Sequence, residues 1–280
     1  MSEIIYNEQF LKISAVFFIA IGLCWGSFLN VCIYRIPIGK SIVYPPSACP
    51  SCGRMIKWYE NIPVLSWLLL RGKCAGCKGK ISIVYPAVEM LTGLLFLFSF
   101  MTAGYSIDLP FYLFFVSAMI VISGVDITHQ IIPPSISIPG IGFGLLYGWL
   151  SPNTLFLDSL FGMLLGGGVL LLVIGVFYLV TKKIGMGGGD VALLAMIGAF
   201  LGPMKLPAVL FAASISGILF FFAMKLFFKK KIIAENISKE DLNSQNDSDL
   251  GHVIYFGPFL AFSGVCFLFI DAGLIYGFMI

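Results

Sequence analysis

Apolar residues in this chain are concentrated in eight long runs that are separated by shorter polar segments. The runs cover approximately Leu11–Tyr34, Pro86–Gly104, Phe111–Val125, Ser135–Leu150, Leu155–Val180, Val191–Leu201, Leu206–Phe228 and Val253–Ile280. Several reach the ~20 residues that a helix needs to cross a ~30 Å hydrocarbon core. The third, fourth and sixth are shorter, so neighbouring helices or clefts must cover their ends. Because the runs are continuous rather than alternating, they favour helices over an outer-membrane barrel.

The composition strengthens this prediction. Of the 280 residues, 59% are hydrophobic and only 11% are charged, whereas a soluble domain carries roughly 25% charged residues. These values exclude an ordinary soluble enzyme, and they exclude a disordered chain, which needs low hydrophobicity. The first run follows Glu3 and Glu8 instead of a basic segment, so we expect a retained helix rather than a cleaved signal peptide. The sequence therefore predicts an all-α polytopic membrane protein with about eight transmembrane helices.

Basic residues lie almost entirely on one side of the predicted helices. If each run crosses once, residues 35–85, 126–134, 181–190 and 229–252 share a side. With Lys225, they carry fifteen of the seventeen Lys and Arg, and the exceptions are Lys12 and Lys205. The positive-inside rule places that side in the cytoplasm and both termini outside.

The predicted crossings divide the chain into three parts. Residues 1–34 form the outer N-terminus and the first helix, residues 35–85 form a polar cytoplasmic domain, and residues 86–280 form the other helices. The last part includes a solvated, flexible loop at 229–252. Two pairs of glycines, Gly144-x-x-x-Gly148 and Gly162-x-x-x-Gly166, predict close contacts between helices.

Four cysteines of the polar domain have the spacing of a zinc ribbon. The motifs are Cys49-Pro-Ser-Cys52 and Cys74-Ala-Gly-Cys77, separated by 21 residues. Each motif can turn two thiolates toward one metal ion, and two motifs complete a tetrahedral shell; we expect Gly53 and Gly76 to permit the turns. The alternatives are two disulfides or four free thiols, but disulfides are disfavoured in a reducing cytoplasm. A closed Cys₄ site predicts structural rather than hydrolytic zinc.

Acidic residues that lie in or against apolar runs include Glu89, Asp126, Asp190 and Asp271. Ionisable groups inside a membrane are costly, so each is a hypothesis of function. Asp126 ends the third run and Asp190 begins the sixth, which places both at cytoplasmic helix ends. Two carboxyls that share a site do not both ionise easily, so one keeps a proton while the other activates water. The pair therefore predicts an aspartic peptidase; the alternative is that each is a solvated or capping residue.

The glycines that precede Asp190 predict a substrate-binding loop. Gly187, Gly188 and Gly189 can adopt positive φ and let an extended substrate approach the backbone. Glu89 lies one turn into the second run, where it could receive a cation or a peptide amine, or instead pair with a basic residue of the polar domain. Asp271 is interpreted as solvated or structural.

Several motifs together resemble those of one enzyme family. They are Gly26-Ser-Phe-Leu-Asn-Val-Cys-Ile-Tyr-Arg-Ile-Pro37, the paired C-x-x-C motifs, Tyr85-Pro-Ala-Val-Glu89, Asp126 followed by Ile132-Pro133, Gly185-Met-Gly-Gly-Gly-Asp190-Val and Phe256-Gly-Pro-Phe-Leu-Ala261. In this order they resemble the bacterial type IV prepilin peptidases, the prepilin leader peptidase/N-methyltransferases. The resemblance extends from about Gly22 to Leu260.

The resemblance implies an eight-helix aspartic peptidase of the GxGD type in the bacterial inner membrane. Such enzymes cut the basic leader from prepilins and pseudopilins at the cytoplasmic face, and Asp126 and Asp190 match the catalytic pair. Members with the cysteine-bearing loop also methylate the new terminal amine with S-adenosylmethionine. The metal-binding cysteines of the family match Cys49, Cys52, Cys74 and Cys77.

The partners implied by the resemblance are prepilins or pseudopilins, membrane lipid, and a pilus or type II secretion assembly, with no nucleic acid. Two positions depart from the family pattern, because Ala192 stands where Lys is frequent and Pro134 where Asp is frequent. These departures leave the electrostatics around the carboxyl pair open. No glycine-rich dinucleotide fingerprint marks a cofactor site.

Three alternatives stay open on the residues alone. One is a GxGD peptidase for other membrane substrates, against which the cysteine loop argues. Another is a secondary transporter, although its charged site would lie near the midplane rather than at one face. The third is a membrane-anchored zinc scaffold, which leaves the glycine loop before Asp190 unexplained.

Overall fold

The computed structural model describes residues 2–182, 187–235 and 256–271. The α-helices within these ranges are α1 (Ser2–Arg35), α2 (Leu65–Leu69), α3 (Val84–Ala103), α4 (Asp108–His129), α5 (Pro134–Leu150), α6 (Phe156–Thr181), α7 (Gly188–Leu201), α8 (Leu206–Glu235) and α9 (Phe256–Asp271). Short 3₁₀ turns occupy Trp58–Asn61 and Pro203–Lys205. No strand occurs in the described part of the chain, so the prediction of an all-α protein is confirmed.

Five of the described helices are long and apolar enough to cross a membrane. These segments are Glu8–Arg35, Val84–Ala103, Asp108–His129, Phe156–Thr181 and Pro203–Lys225. The α5 helix has 17 residues, and two apolar segments, Gly188–Leu201 and Phe256–Ile270, are also shorter than a full span. The number of eight crossings therefore stays a prediction. Helix α8 continues to Glu235, so residues 229–235 of the predicted loop are helical, and 236–252 lie outside the described residues.

The helices approach one another at small residues, as the glycine pairs predicted. A Cβ atom on Gly166 of α6 would lie 2.5 Å from the Leu194 carbonyl oxygen of α7, and one on Gly144 of α5 would lie 2.6 Å from the Ala199 Cβ. Without these glycines, α5 and α6 would have to move away from α7. Close approach of this kind is how helices associate in lipid.

Helix α7 lies in the interior of the bundle. Every residue from Leu193 to Leu201 is buried, and α7 packs against α5, α6 and α9. Its side chains belong to the main apolar core, which also contains the buried Phe115, Met119 and Ile122 of α4. A helix of 14 residues is too short to face lipid along a full span, and its neighbours cover it, as the length of the sixth apolar run predicted.

The end of α4 sets up the loop that follows it. Gln130 adopts a left-handed conformation at the C-cap, with φ 59°, a common way to end a helix. Pro133 then caps α5, and Pro134 occupies its first turn, where a missing N–H costs nothing. Residues 130–133 therefore form a short, stiff turn directly after α4, beginning four residues beyond Asp126.

Candidate active site and metal centre

Asp126 lies in the last turn of α4 and is buried, with 7% of its surface exposed. The backbone N–H of Gly257, in the first turn of α9, hydrogen-bonds its carboxyl group. A Cβ atom on Gly257 would lie only 2.5 Å from Asp126 Oδ2. The position must therefore be glycine if α9 is to bring its N-terminal N–H groups, which attract negative charge, against the carboxylate.

Asp190 lies in the first turn of α7 and is half-buried. A Cβ on the preceding Gly189 would lie 2.8 Å from the Cβ of Ile132, so the first turn of α7 rests on the turn after α4. Ile132 also lies beside Gly257, with its Cδ1 atom 3.4 Å from a Cβ placed there. The starts of α7 and α9 thus converge on the end of α4.

This convergence brings the two predicted carboxyls together. Asp126 and Asp190 are close enough for the charge of one to act on the other. Within the described part of the chain neither forms an ion pair, and the half-buried Ala192 offers no cation. Two carboxyls whose charges act on each other do not both ionise easily, which favours acid and base catalysis by one pair.

The glycines before Asp190 contribute space rather than unusual dihedral angles. Gly187 caps α7 with an extended backbone (φ −74°, ψ 145°) and Gly188 begins the helix. None of the three is among the glycines with positive φ, so the conformational freedom that the sequence suggested is not used in the structure. Among the described residues, no atom lies within 4 Å of a Cβ placed on Gly187 or Gly188. Gly185 and Met186 of the same motif lie outside the described residues.

Glu89 is a residue of α3, and its side chain contacts α1 and the polar domain. Its side chain is buried, and Oε2 accepts the backbone N–H of Val64 at 2.7 Å. The Ser27 hydroxyl also hydrogen-bonds the carboxyl. Gly26 permits this close approach of α1, since a Cβ there would lie 2.7 Å from the Glu89 Cα. The partner from the polar domain is therefore a backbone N–H rather than the basic side chain that one hypothesis named. The described contacts of Glu89 do not include the Gly187–Gly189 loop.

The four cysteines of the polar domain converge on one point. Their Sγ atoms all lie within 4.8 Å of one another, and no other described group of His, Cys, Asp and Glu is so arranged. The Cys49 and Cys77 sulfurs are 3.8 Å apart. Sulfurs around a tetrahedral zinc with ~2.3 Å bonds are separated by about 3.8 Å, so the cluster fits a zinc ion. All four are free thiols rather than disulfides.

The two motifs fold as matching knuckles. The N–H of Cys49 donates to the Arg54 carbonyl at 2.9 Å, and the N–H of Cys74 donates to the Gly79 carbonyl at 2.8 Å. Positive φ occurs at Gly53 in the first knuckle and at Lys78 in the second. Gly76 has no positive φ. It permits close packing in the second knuckle, since a Cβ there would lie 3.1 Å from the Arg54 Cδ.

Backbone donors prepare the sulfurs for a metal. The N–H groups of Ser51 and Cys52 lower the pKa of the Cys49 thiol to about 6, and those of Cys77 and Gly76 lower the pKa of the Cys74 thiol. Thiolates are the form that binds zinc.

The fourth thiol shows how crowded the sulfurs are. The Gly79 N–H lowers the pKa of the Cys77 thiol, but hydrogen bonds with Cys52, Cys74 and Cys49, together with burial, outweigh it and raise the pKa to about 11. A bound cation would relieve this competition for protons.

Sequence reasoning gave no role to two residues of the candidate active site. Gly257 and Ile132 belong to motifs that contributed to the resemblance, Phe256-Gly-Pro and Ile132-Pro133. Their roles depend on where α9 and α7 begin in space. His129, another neighbour of Asp126 in sequence, instead contacts the Thr128 hydroxyl through Nδ1 at 2.8 Å.

Comparisons with known proteins agree along most of the chain. A model of the Bacterial Peptidase A24 N-terminal domain matches residues 20–103, and one of the Type IV leader peptidase family matches residues 113–222. No solved structure gives a significant match.

Three relatives carry the name prepilin leader peptidase/N-methyltransferase. The Myxococcus xanthus protein is 43% identical over 72% of this chain, which spans 61% of that protein. The Neisseria gonorrhoeae protein is 35% identical, covering 74% of this chain and 80% of that protein. The Stutzerimonas stutzeri protein is 34% identical, covering 88% and 87%. On this similarity and on the carboxyl pair that its helices assemble, the chain belongs to the type IV leader peptidase family.

Proposed function

We propose that this protein is a prepilin leader peptidase/N-methyltransferase in which Asp126 and Asp190 carry out the cleavage. The observation that carries the proposal is the convergence of three helix ends on these two carboxyls. They come from positions 64 residues apart in the sequence, and no other described residue crowds the adjoining Gly187 and Gly188, beside which a substrate can approach. The names of the relatives supply the substrate class.

The reaction needs only the two carboxyls and a water molecule. One carboxylate takes a proton from water while the oxygen attacks the scissile carbonyl carbon. The other carboxyl gives its proton to the leaving nitrogen as the C–N bond breaks. The leader then ends in a carboxyl group, and the pilin begins with a free amine. The Gly257 N–H fixes the orientation of the Asp126 carboxylate during this exchange.

The second activity acts on the amine that cleavage releases. When bound, S-adenosylmethionine would supply a methyl group to this amine, with S-adenosylhomocysteine as the other product and a proton released to solvent. The cysteine cluster would hold a zinc ion whose four positions are all filled by thiolates, so its contribution is to fold the polar domain. We place the active site at the cytoplasmic face of the inner membrane, in accord with the basic residues of 35–85 and 225–239.

Single substitutions test the carboxyl pair. We expect Asp126→Asn and Asp190→Asn each to abolish cleavage of a prepilin by the membrane-reconstituted protein, because an amide neither accepts the water proton nor supplies one. Loss should reach at least about 10²-fold, the lower range for one acid–base group. Cleavage is measured by the mobility of the processed pilin.

The matched control is Asp158→Asn, which changes an exposed acid at the start of α6 and should leave cleavage unchanged. If either Asn variant at 126 or 190 cleaves at the parent rate, the proposed pair is wrong.

A further inference from the structure

The short helix α2 directs three leucines away from the protein. Leu65, Leu68 and Leu69 are 58%, 56% and 83% exposed. The orientation of the helix is fixed by Trp67, whose indole N–H donates to the Ile81 carbonyl at 3.2 Å and whose ring packs on Gly72. A cluster of leucines held outward in this way marks a surface that contacts something apolar.

A hydrogen bond to the membrane helices sets the depth of α2. Val64, the N-cap of α2, donates its N–H to Glu89 Oε2. Glu89 lies five residues after Val84, the first residue of α3, or about 7.5 Å along the helix axis. The 20 residues of α3 span about 30 Å, the thickness of the hydrocarbon core. Since α3 must therefore begin near the core boundary, α2 lies beside its first turns rather than above them.

The surroundings of α2 match a lipid interface. Met90 and Leu91, at the same level of α3, are 53% and 47% exposed. Arg71 and Lys73 follow α2 directly and are exposed. Residues 35–85 contain eight basic residues and one acid, Glu60. Apolar side chains beside a basic surface are typical of segments that lie at the boundary between headgroups and acyl chains.

We propose that Leu65, Leu68 and Leu69 insert into the phospholipid bilayer at this boundary. The polar domain is then docked on the membrane at a depth fixed by Glu89, instead of projecting freely from it. The proposal rests on the proposed topology, which places the polar domain at one membrane face, and it adds the surface through which that domain binds lipid. A second copy of the chain or the apolar helix of a substrate is the competing occupant.

Photocrosslinking distinguishes these occupants. The full-length protein, with Leu69→p-benzoylphenylalanine, is reconstituted in vesicles of phosphatidylethanolamine and phosphatidylglycerol and irradiated without substrate. The same replacement at Met55, which is 64% exposed in the first cysteine knuckle, is the control. Mass spectrometry should find phospholipid adducts at Leu69 and none at Met55. Crosslinks at Leu69 to a second copy alone, or no lipid adduct, would overturn the proposal.

A second measurement does not depend on the photoreactive group. Leu69→Trp and Met55→Trp each add tryptophan fluorescence emission to that of the parent protein. Brominated phospholipid should abolish most of the emission that Leu69→Trp adds, and aqueous acrylamide should abolish most of that added by Met55→Trp. Quenching of the added Leu69→Trp emission by acrylamide, and not by brominated phospholipid, would contradict docking. Neither readout requires turnover, so failure of this proposal and failure of the proposed peptidase are distinguishable.

Discussion

At the scale of single residues, the candidate active site depends on one position that carries no functional group. Gly257 lies against Asp126 so closely that its own N–H reaches the carboxyl while a side chain would collide with it. The orientation of the carboxylate is therefore determined by the absence of a Cβ atom. An acidic residue in an apolar run is found by inspection of the sequence, but this glycine is not.

Gly257→Ala should impair cleavage although it leaves both carboxyls in place. The new Cβ atom must push α9 or the carboxylate away from its present position, and displacements of about 1 Å cost on the order of 10²-fold in rate. Initial cleavage rates of the reconstituted protein measure the effect.

The control is Gly142→Ala, because a Cβ on Gly142 would meet no atom within 4 Å. Equal rates for the Gly257→Ala variant and its parent would show that the close approach has no catalytic importance.

The role of Glu89 can also be resolved at this scale. The described contacts make it an acceptor for the Val64 N–H, a task that an amide oxygen also performs, whereas binding of a substrate cation requires the negative charge.

We therefore expect Glu89→Gln to preserve the attachment of the polar domain and Glu89→Ala to weaken it. The alanine variant leaves a partly buried N–H without its acceptor, at a cost of up to ~1–3 kcal/mol. Limited proteolysis between residues 36 and 83 measures the attachment. A Gln variant that loses prepilin cleavage while remaining as protease-resistant as the parent would instead support the substrate-binding role.

At the scale of elements, the polar domain has few means of holding itself together. Its described secondary structure consists of two β-bridges, Ala48 with Met55 and Lys73 with Lys80, one 3₁₀ turn and α2. Arg54 adds an ion pair with Glu60 at 2.7 Å, and the Arg54 side chain lowers the pKa of the Glu60 carboxyl. Partly exposed pairs contribute roughly 0–1 kcal/mol, so the cysteine cluster must supply most of the stability.

Removal of zinc should therefore unfold this domain without unfolding the helices. The purified protein should contain about one zinc ion per chain, and a chelator or Cys52→Ser should remove it, since a Cys₄ site needs all four thiolates. Elemental analysis measures the metal, and protease sensitivity of residues 36–83 measures the folding.

Cys24→Ser is the matched control, because Cys24 lies on α1 outside the cluster. Parent-like zinc content in the Cys52→Ser variant would contradict the proposed site.

At the scale of the whole molecule, the apolar runs predicted the membrane helices because a membrane helix requires a long, continuous apolar segment. The α2 helix was not predicted, since a five-residue helix in a polar domain has no such signature. The pairing of Asp126 with Asp190 followed from counting crossings, which fixes depth. The contacts of Gly257 and Ile132 did not follow, because depth says nothing about which helices are neighbours.

Membership of the type IV leader peptidase family also decides among the alternatives that the residues left open. The transporter and zinc-scaffold hypotheses are rejected, because the matched family is a peptidase family. The structure shows where the departures at Ala192 and Pro134 lie. Pro134 occupies the first turn of α5, and Ala192 leaves the carboxyl pair without a neighbouring cation from that position.

The length of α7 has a consequence for the substrate. Its 14 residues rise about 21 Å, some 9 Å less than the hydrocarbon thickness. On the proposed topology Lys205, shortly after its end, lies at the outer face, so the shortfall would fall at the Asp190 end. The carboxyl pair would then lie below the cytoplasmic surface, within the depth of the bilayer. In that position it would reach a scissile bond just before the apolar helix of a prepilin, and that helix would not have to be lifted out of the bilayer.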